Sequence, residues 1–149
     1  MRAIKIPGSI ELICGSMFSG KTEEFIRRVK RAVIAKQKVI LFKPKIDDRY
    51  EANHIISHDG RKLESIVVTK TADIVDGLKN GVYDVVGIDE VQFFDQHIVN
   101  LCNKLADDGV RVILAGLDLD YMGNAFGPMP HLMAIADEVI KLHAICTKC

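Results

Sequence analysis

The sequence carries no net charge, because its twenty lysines and arginines balance twenty aspartates and glutamates. There is therefore no global basic field to recruit nucleic acid. No apolar run approaches the length of a membrane span. The opening Met-Arg-Ala-Ile-Lys-Ile-Pro has no apolar region of the signal-peptide kind. Cysteine is sparse, with four residues at 14, 102, 146 and 149. Cys14 falls in a predicted core strand and Cys102 on the apolar face of a predicted helix, so both read as packed thiols rather than bridges. Without an export signal, a reducing cytoplasm is the default setting. Internal repeats and low-complexity tracts are also missing. What remains is ordinary for a globular chain: 149 residues, 48% hydrophobic and 27% charged, enough for one domain with a real core.

Strand and helix patterns alternate along the chain. Ile10 to Cys14 reads as a buried strand, and Phe25, Ile26, Val29, Ala32 and Val33 share one face of the helix that follows. Val39 to Phe42 is a short, wholly apolar run, as expected of a parallel strand covered on both sides. Residues 45–61 are polar and read as a long loop. Ser65 to Val68 is a predicted strand, and Thr71 is placed to cap a helix reaching Leu78. Val82 to Ile88 is another buried strand, followed by a helix with Ile98, Leu101, Cys102, Leu105 and Ala106 on one stripe. Val110 to Ala115 is a further core strand. Residues 116–130 are Gly- and Pro-rich loop, with Pro128 in the first turn of a short helix to Ala136. Glu138 to Leu142 is the last strand. This alternation predicts a three-layer α/β fold with a mostly parallel sheet.

Gly15-Ser16-Met17-Phe18-Ser19-Gly20-Lys21-Thr22 spells GxxxxGK[ST], a phosphate-binding loop. Glycines at both ends let the backbone curl, so that successive N–H groups point inward at phosphate oxygens. The loop then opens a helix, whose first N–H groups and dipole favour anions. Lys21 can reach the β- and γ-phosphates, and the Thr22 hydroxyl can hold Mg²⁺. A second signal is Val85-Val86-Gly87-Ile88-Asp89-Glu90, an apolar strand closing on two carboxylates. In a phosphate-loop protein this strand is expected beside the first one, with Asp89 near the metal. Glu90 then reads as a general base. If it activates water the protein is an ATPase; if it activates a bound hydroxyl the protein is a kinase. Composition and spacing leave both open.

The chain resembles the type II thymidine kinases. The resemblance rests on residues 15–24, Lys43-Pro44, Asp47-Asp48-Arg49-Tyr50, Ser57-His58-Asp59, Ile88 to Phe94, Ala115 to Asp118, Phe126-Gly127 and Cys146-Thr147-Lys148-Cys149. They occur in family order and span nearly the whole chain. The resemblance implies a RecA-like P-loop NTPase core over residues 1–142 and the first half of a zinc ribbon over 143–149. It implies transfer of the γ-phosphate of MgATP to the 5′-hydroxyl of thymidine. Gly15, Ser16, Met17, Phe18, Ser19, Gly20, Lys21 and Thr22 would hold ATP, Asp89 would organise Mg²⁺ with Thr22, and Glu90 would be the base. Asp47 and Arg49 would form a charged pair near the transferring group, and Arg49 would neutralise its charge. Met17, Phe93, Leu117 and Phe126 would line the thymine pocket, with the flat, soft walls a base favours. His58 and Asp59 match the pattern without an assigned chemistry.

Cys146 and Cys149 would supply two of the four ligands of a structural Zn²⁺ site. The resemblance implies that the other two, and a loop closing over the nucleoside, come from residues beyond Cys149, so that the sequence reads as a chain whose C-terminal part is missing. It further implies a homotetramer inhibited by thymidine triphosphate, with no membrane and no nucleic-acid partner. Two other functions fit parts of the same pattern. One is an ATPase in which Glu90 activates water. The other is a nucleotide-gated zinc-ribbon module that binds nucleic acid, against which the zero net charge counts.

Overall fold

Short runs that are apolar at every position become strands covered on both faces. The computed structural model describes residues 7–45, 54–56 and 62–144. In chain order these form β1 (Ser9–Gly15), α1 (Lys21–Ile34), β2 (Val39–Pro44), β3 (His54–Ile56), β4 (Lys62–Glu64), β5 (Ile66–Val68), α2 (Thr71–Leu78), β6 (Val85–Ile88), a 3₁₀ turn (Val91–Phe93), α3 (His97–Asp107), β7 (Arg111–Leu117), α4 (Met129–Ile135) and β8 (Glu138–Leu142). Six strands make one sheet in the order β5-β2-β6-β7-β1-β8, and every neighbouring pair is parallel. This is the expected α/β fold. All six strands therefore present their carboxyl ends along the same edge, where open α/β sheets bind ligands.

The alternation of side chains along each strand divides the core in two. Ile13, Leu41, Val85, Ile113 and Ala115 face α1 and pack on Phe25, Ile26, Val29 and Ala32. Leu12, Cys14, Ile40, Phe42, Val86, Ile88, Val112 and Leu114 face the other way and pack with Ile74 of α2, Ile98, Leu101 and Cys102 of α3, and Leu132 of α4. One helix covers one face and three cover the other.

Several expectations need correction. Strand β6, which ends before Asp89, does not lie beside β1; β7 is inserted between them, pairing Leu12 with Leu114 on one side and Ile88 with Leu114 on the other. Apolar runs give strands but not their spatial order. Val33 shares the apolar angle of α1, yet it is 54% exposed, because the last turn of the helix carries it and Ile34 into solvent. Strand β6 starts at Val85 rather than Val82, which is exposed. Thr71 is the first residue of α2 and not its cap. Its hydroxyl donates to Asp95, while the Asp73 carboxylate accepts from the N–H groups of Thr69 and Lys70. The polar stretch 45–61 contains β3, which pairs antiparallel with β4.

The buried position that the pattern of α1 misses is Arg28. Its guanidinium donates to Glu11 on β1 at 2.7 Å, Glu24 at 2.7 Å and Glu138 on β8 at 2.8 Å. Glu11 also accepts two bonds from Arg111 at the start of β7. The network binds α1 to three adjacent strands at the amino end of the sheet. Burial alone would raise the Glu11 carboxyl, but the guanidiniums of Arg111 and Arg28 overcome it and hold it below its ordinary 4.5. A depressed carboxylate stabilises the fold above its unfolded pKa, and that contribution is lost as pH falls through the folded value. Glu11→Ala should cost about 3–5 kcal/mol at neutral pH, the range for breaking one side of a buried pair. Urea unfolding measured from pH 7 downward should show wild type losing stability below about pH 4.5 and the variant losing less. Parallel curves would remove Glu11 from this role.

Candidate functional site

The loop after β1 is built as its sequence demands. Gly15 adopts φ +146°, and a β-carbon there would lie 2.1 Å from the carbonyl oxygen of Leu142 on β8. Phe18 has φ +60° and Gly20 φ +90°, so the chain alternates hand, as it does in an anion-binding nest. Gly20 is the N-cap of α1, and Lys21 and Thr22 are its first residues. The dipole and free amides of a 14-residue helix therefore meet at the loop. Ser16, Met17 and Phe18 are exposed, whereas Ser19, Gly20, Lys21 and Thr22 are half-buried. The Ser19 hydroxyl oxygen is buried without a hydrogen-bond partner, which leaves a polar atom inside the loop for a polar ligand to satisfy.

The Lys21 ammonium donates to the Ser16 carbonyl at 2.7 Å. Burial lowers its pKa, against the opposing charges of Asp89, Asp118 and Glu90. Asp89 follows β6 and Asp118 follows β7, so the parallel sheet delivers both to the edge where the loop leaves β1. The Asp89 carboxyl is pushed up to about 7, first by burial and then by the neighbouring Glu90 charge. Glu90 has φ +49°, a left-handed conformation unusual for a residue with a side chain. That twist breaks the strand alternation directly after Asp89, and both carboxylate residues are half-buried there. Asp118 had no assigned role from its sequence. It is buried and pairs with Lys141 of β8 at 2.9 Å, reaching across β1. Burial would raise its carboxyl, but the Lys141 bond and charge bring it below the usual range.

Beside these charges lies an aromatic corner. Phe93 of the 3₁₀ turn and Phe126 meet edge to face, with ring centroids 5.3 Å apart and planes at 86°. Phe93 is 47% exposed, while Phe126 and Leu117 at the end of β7 are half-buried. Met17 is 61% exposed on the phosphate loop. Asp47, Arg49, His58, Asp59, Cys146 and Cys149 lie outside the described residues. Among the described residues there is no cluster of three or more histidine, cysteine or acidic side chains able to hold a metal, and no helix is long and apolar enough to cross a membrane.

A phosphate loop on the second-to-last strand of a parallel sheet, with carboxylates after β6 and β7 at the same edge, defines a class: the α/β nucleotide-binding proteins of the P-loop kind. Comparison with known proteins narrows this. The thymidine kinase family model matches residues 8–149. The thymidine kinase of Bacteroides thetaiotaomicron is 58% identical over 142 residues, covering 95% of this chain and 70% of the relative. That of Bacteroides fragilis gives the same figures. That of Porphyromonas gingivalis is 56% identical over 142 residues, covering 95% of this chain and 69% of the relative. The chain belongs to the thymidine kinase family, and it is an ATP-using kinase.

The two loop glycines make separable demands. Gly20 has nothing within 4 Å of a built β-carbon, so only its backbone hand resists a side chain. Gly20→Ala should cost about 1–2 kcal/mol, the usual strain of the left-handed region. Gly15→Ala adds a collision with the Leu142 carbonyl and should cost more than that. Comparison of urea midpoints checks the order; equal penalties would mean that β8 is not held against Gly15.

Proposed function

We propose that this chain transfers the γ-phosphate of ATP to the 5′-hydroxyl of thymidine. The observation that carries the reading is the left-handed Glu90 directly after Asp89, which sets two carboxylates at the strand edge facing Lys21. One carboxylate serves a cation and the next is left to accept a proton. In this reading the loop amides from Ser16 to Gly20 and the Lys21 ammonium cradle the phosphates, and Lys21 leaves the Ser16 carbonyl for phosphate oxygen. Glu90 accepts the proton of the 5′-hydroxyl as its oxygen attacks the γ-phosphorus in line, and ADP departs along the loop. Phe93, Phe126 and Leu117, with Met17 from the loop, hold the base. Asp47 and Arg49 act on the transferring group. Positioning and charge, rather than covalent chemistry, carry the rate.

The donors suit Mg²⁺: the Thr22 hydroxyl and the Asp89 carboxylate are hard oxygens, and the upward-shifted Asp89 beside Glu90 is a site short of positive charge. When bound, the ion would neutralise phosphate charge. Cys146 and Cys149 are thiolates of the kind that hold structural Zn²⁺. We extend the family resemblance to a kinase domain over residues 1–142, the start of a zinc ribbon after it, a homotetramer, feedback inhibition by thymidine triphosphate and a cytoplasmic setting.

ADP release with and without thymidine tests the reaction. Release should require thymidine, and acceptor-independent turnover would favour an ATPase in which Glu90 activates water. Glu90→Gln should lower kcat by about 10²-fold or more, the usual loss for a general base, while Lys21→Ala should abolish turnover. An unchanged kcat in Glu90→Gln removes that residue from the role of base.

A further inference from the structure

Gln92 is a polar side chain in an apolar place. It is 3% exposed, in the 3₁₀ turn that follows Asp89 and Glu90. Its side-chain Oε1 accepts the N–H of Leu117 at 3.1 Å. The pairing of β6 with β7 stops at Ile88 and Leu114. Beyond that point the Gln92 amide stands in for the missing strand partner. A methionine or leucine would fill the same volume but leave the Leu117 N–H without its acceptor, so the amide ties this turn to the end of β7.

The surroundings are shaped to this one residue. A β-carbon at Gly116 would lie 2.7 Å from Gln92 Oε1, and one at Gly127 would lie 2.4 Å from the Gln92 carbonyl oxygen. Gly127 also has φ +51°. At Gly127 the neighbour is backbone and only glycine fits; at Gly116 it is the tip of the Gln92 side chain, which a β-carbon would push aside. The residues next to these three contacts are the aromatic corner itself. Phe93 follows Gln92, Phe126 precedes Gly127, and Leu117 follows Gly116 and carries the bonded N–H. Residue 92 thus meets each segment that supplies a wall, its side chain at Gly116 and Leu117 and its backbone carbonyl at Gly127.

We propose that Gln92 is a positioning residue for the nucleoside: its side chain locks the 3₁₀ turn, which packs at its backbone against Gly127, to the end of β7, and so sets the spacing of Phe93, Phe126 and Leu117 and with it affinity and selectivity for the base. This rests on the reading of that corner as the thymine pocket. The hydrogen bond of its side chain runs to Leu117 at the aromatic corner, so its influence is on the acceptor side and not on ATP.

Steady-state kinetics on the full chain, with thymidine and ATP varied separately, tests it. Gln92→Met keeps the volume and removes the acceptor. The KM for thymidine should rise about 5- to 100-fold, the range set by an unpaired buried N–H, while the KM for ATP stays within about twofold. Gly116→Ala reaches the same amide from the other side and should give the same split, which keeps the test open if the first variant does not fold. In the double variant the β-carbon at 116 no longer meets Oε1, so the rise in thymidine KM should fall short of the product of the single effects. An unmoved thymidine KM in either folded variant overturns the proposal, as does a parallel rise in both KM values. Wild-type chain that fails to phosphorylate thymidine would instead sink the functional reading, which separates the two failures.

Discussion

The carbonyl oxygen of Leu142 fills the space that a side chain at residue 15 would occupy, 2.1 Å from a built β-carbon. This close approach governs the site. It lets β8 pair with β1 up to its final residue, with Gly15 opposite Leu142. On the other side Gly15 stands opposite Leu117 of β7. The strand is therefore held on both edges at the residue where the chain must swing into the phosphate loop. The Asp118–Lys141 pair, joining β7 to β8 across β1, closes the same point from above. An anion cradle made of backbone amides is only as well defined as the backbone that enters it, and here three strands define that entry.

The two ends of the sheet handle charge in opposite ways. At the amino end, Glu11 and Glu138 meet Arg28 and Arg111, and each buried charge has a partner of the other sign. At the carboxyl end, Asp89 and Glu90 are adjacent like charges, and the Asp89 carboxyl is raised to about 7 as a result of burial and that neighbour. A fold selected only for stability would not set two carboxylates together in a half-buried cleft. Opposite charges at one end anchor α1, and adjacent like charges mark the other end as the candidate site.

Local chemistry was legible in the sequence, and long-range order was not. The GxxxxGK[ST] spacing announces a strand, a loop and a helix, and all three form over Ser9 to Ile34. The run from Val85 to Ile88 with two acids after it announces a strand ending at the site edge, which is what β6 does. Neither pattern says that β7 separates β6 from β1, because the hydrophobic period of β7 is the same wherever it is inserted. Arg28 was invisible for a related reason. An arginine on an apolar stripe reads as surface until Glu11 and Glu138, from distant parts of the chain, are seen to converge on it. Gln92 was readable only as part of a family string. Its partners Gly116 and Leu117 lie more than twenty residues away, and nothing about a glutamine predicts that its amide will reach the end of another strand.

Glu90 shows why residue type and backbone must be considered together. In a continuing strand, residues 89 and 90 would point to opposite faces, and only one carboxylate could serve the cleft. The left-handed turn at Glu90 removes that restriction, at a strain on the order of 1–3 kcal/mol for a residue with a side chain. Glycine would relieve the strain and lose the carboxylate. Asparagine, which tolerates this conformation better, would lose the charge. The turn then runs directly into Val91 and Gln92, whose burial fixes its far side. The strained residue is thus bracketed by the end of a core strand before it and a buried anchor after it. The rigidity needed to sustain the strain and the rigidity needed to place the acceptor come from the same short segment.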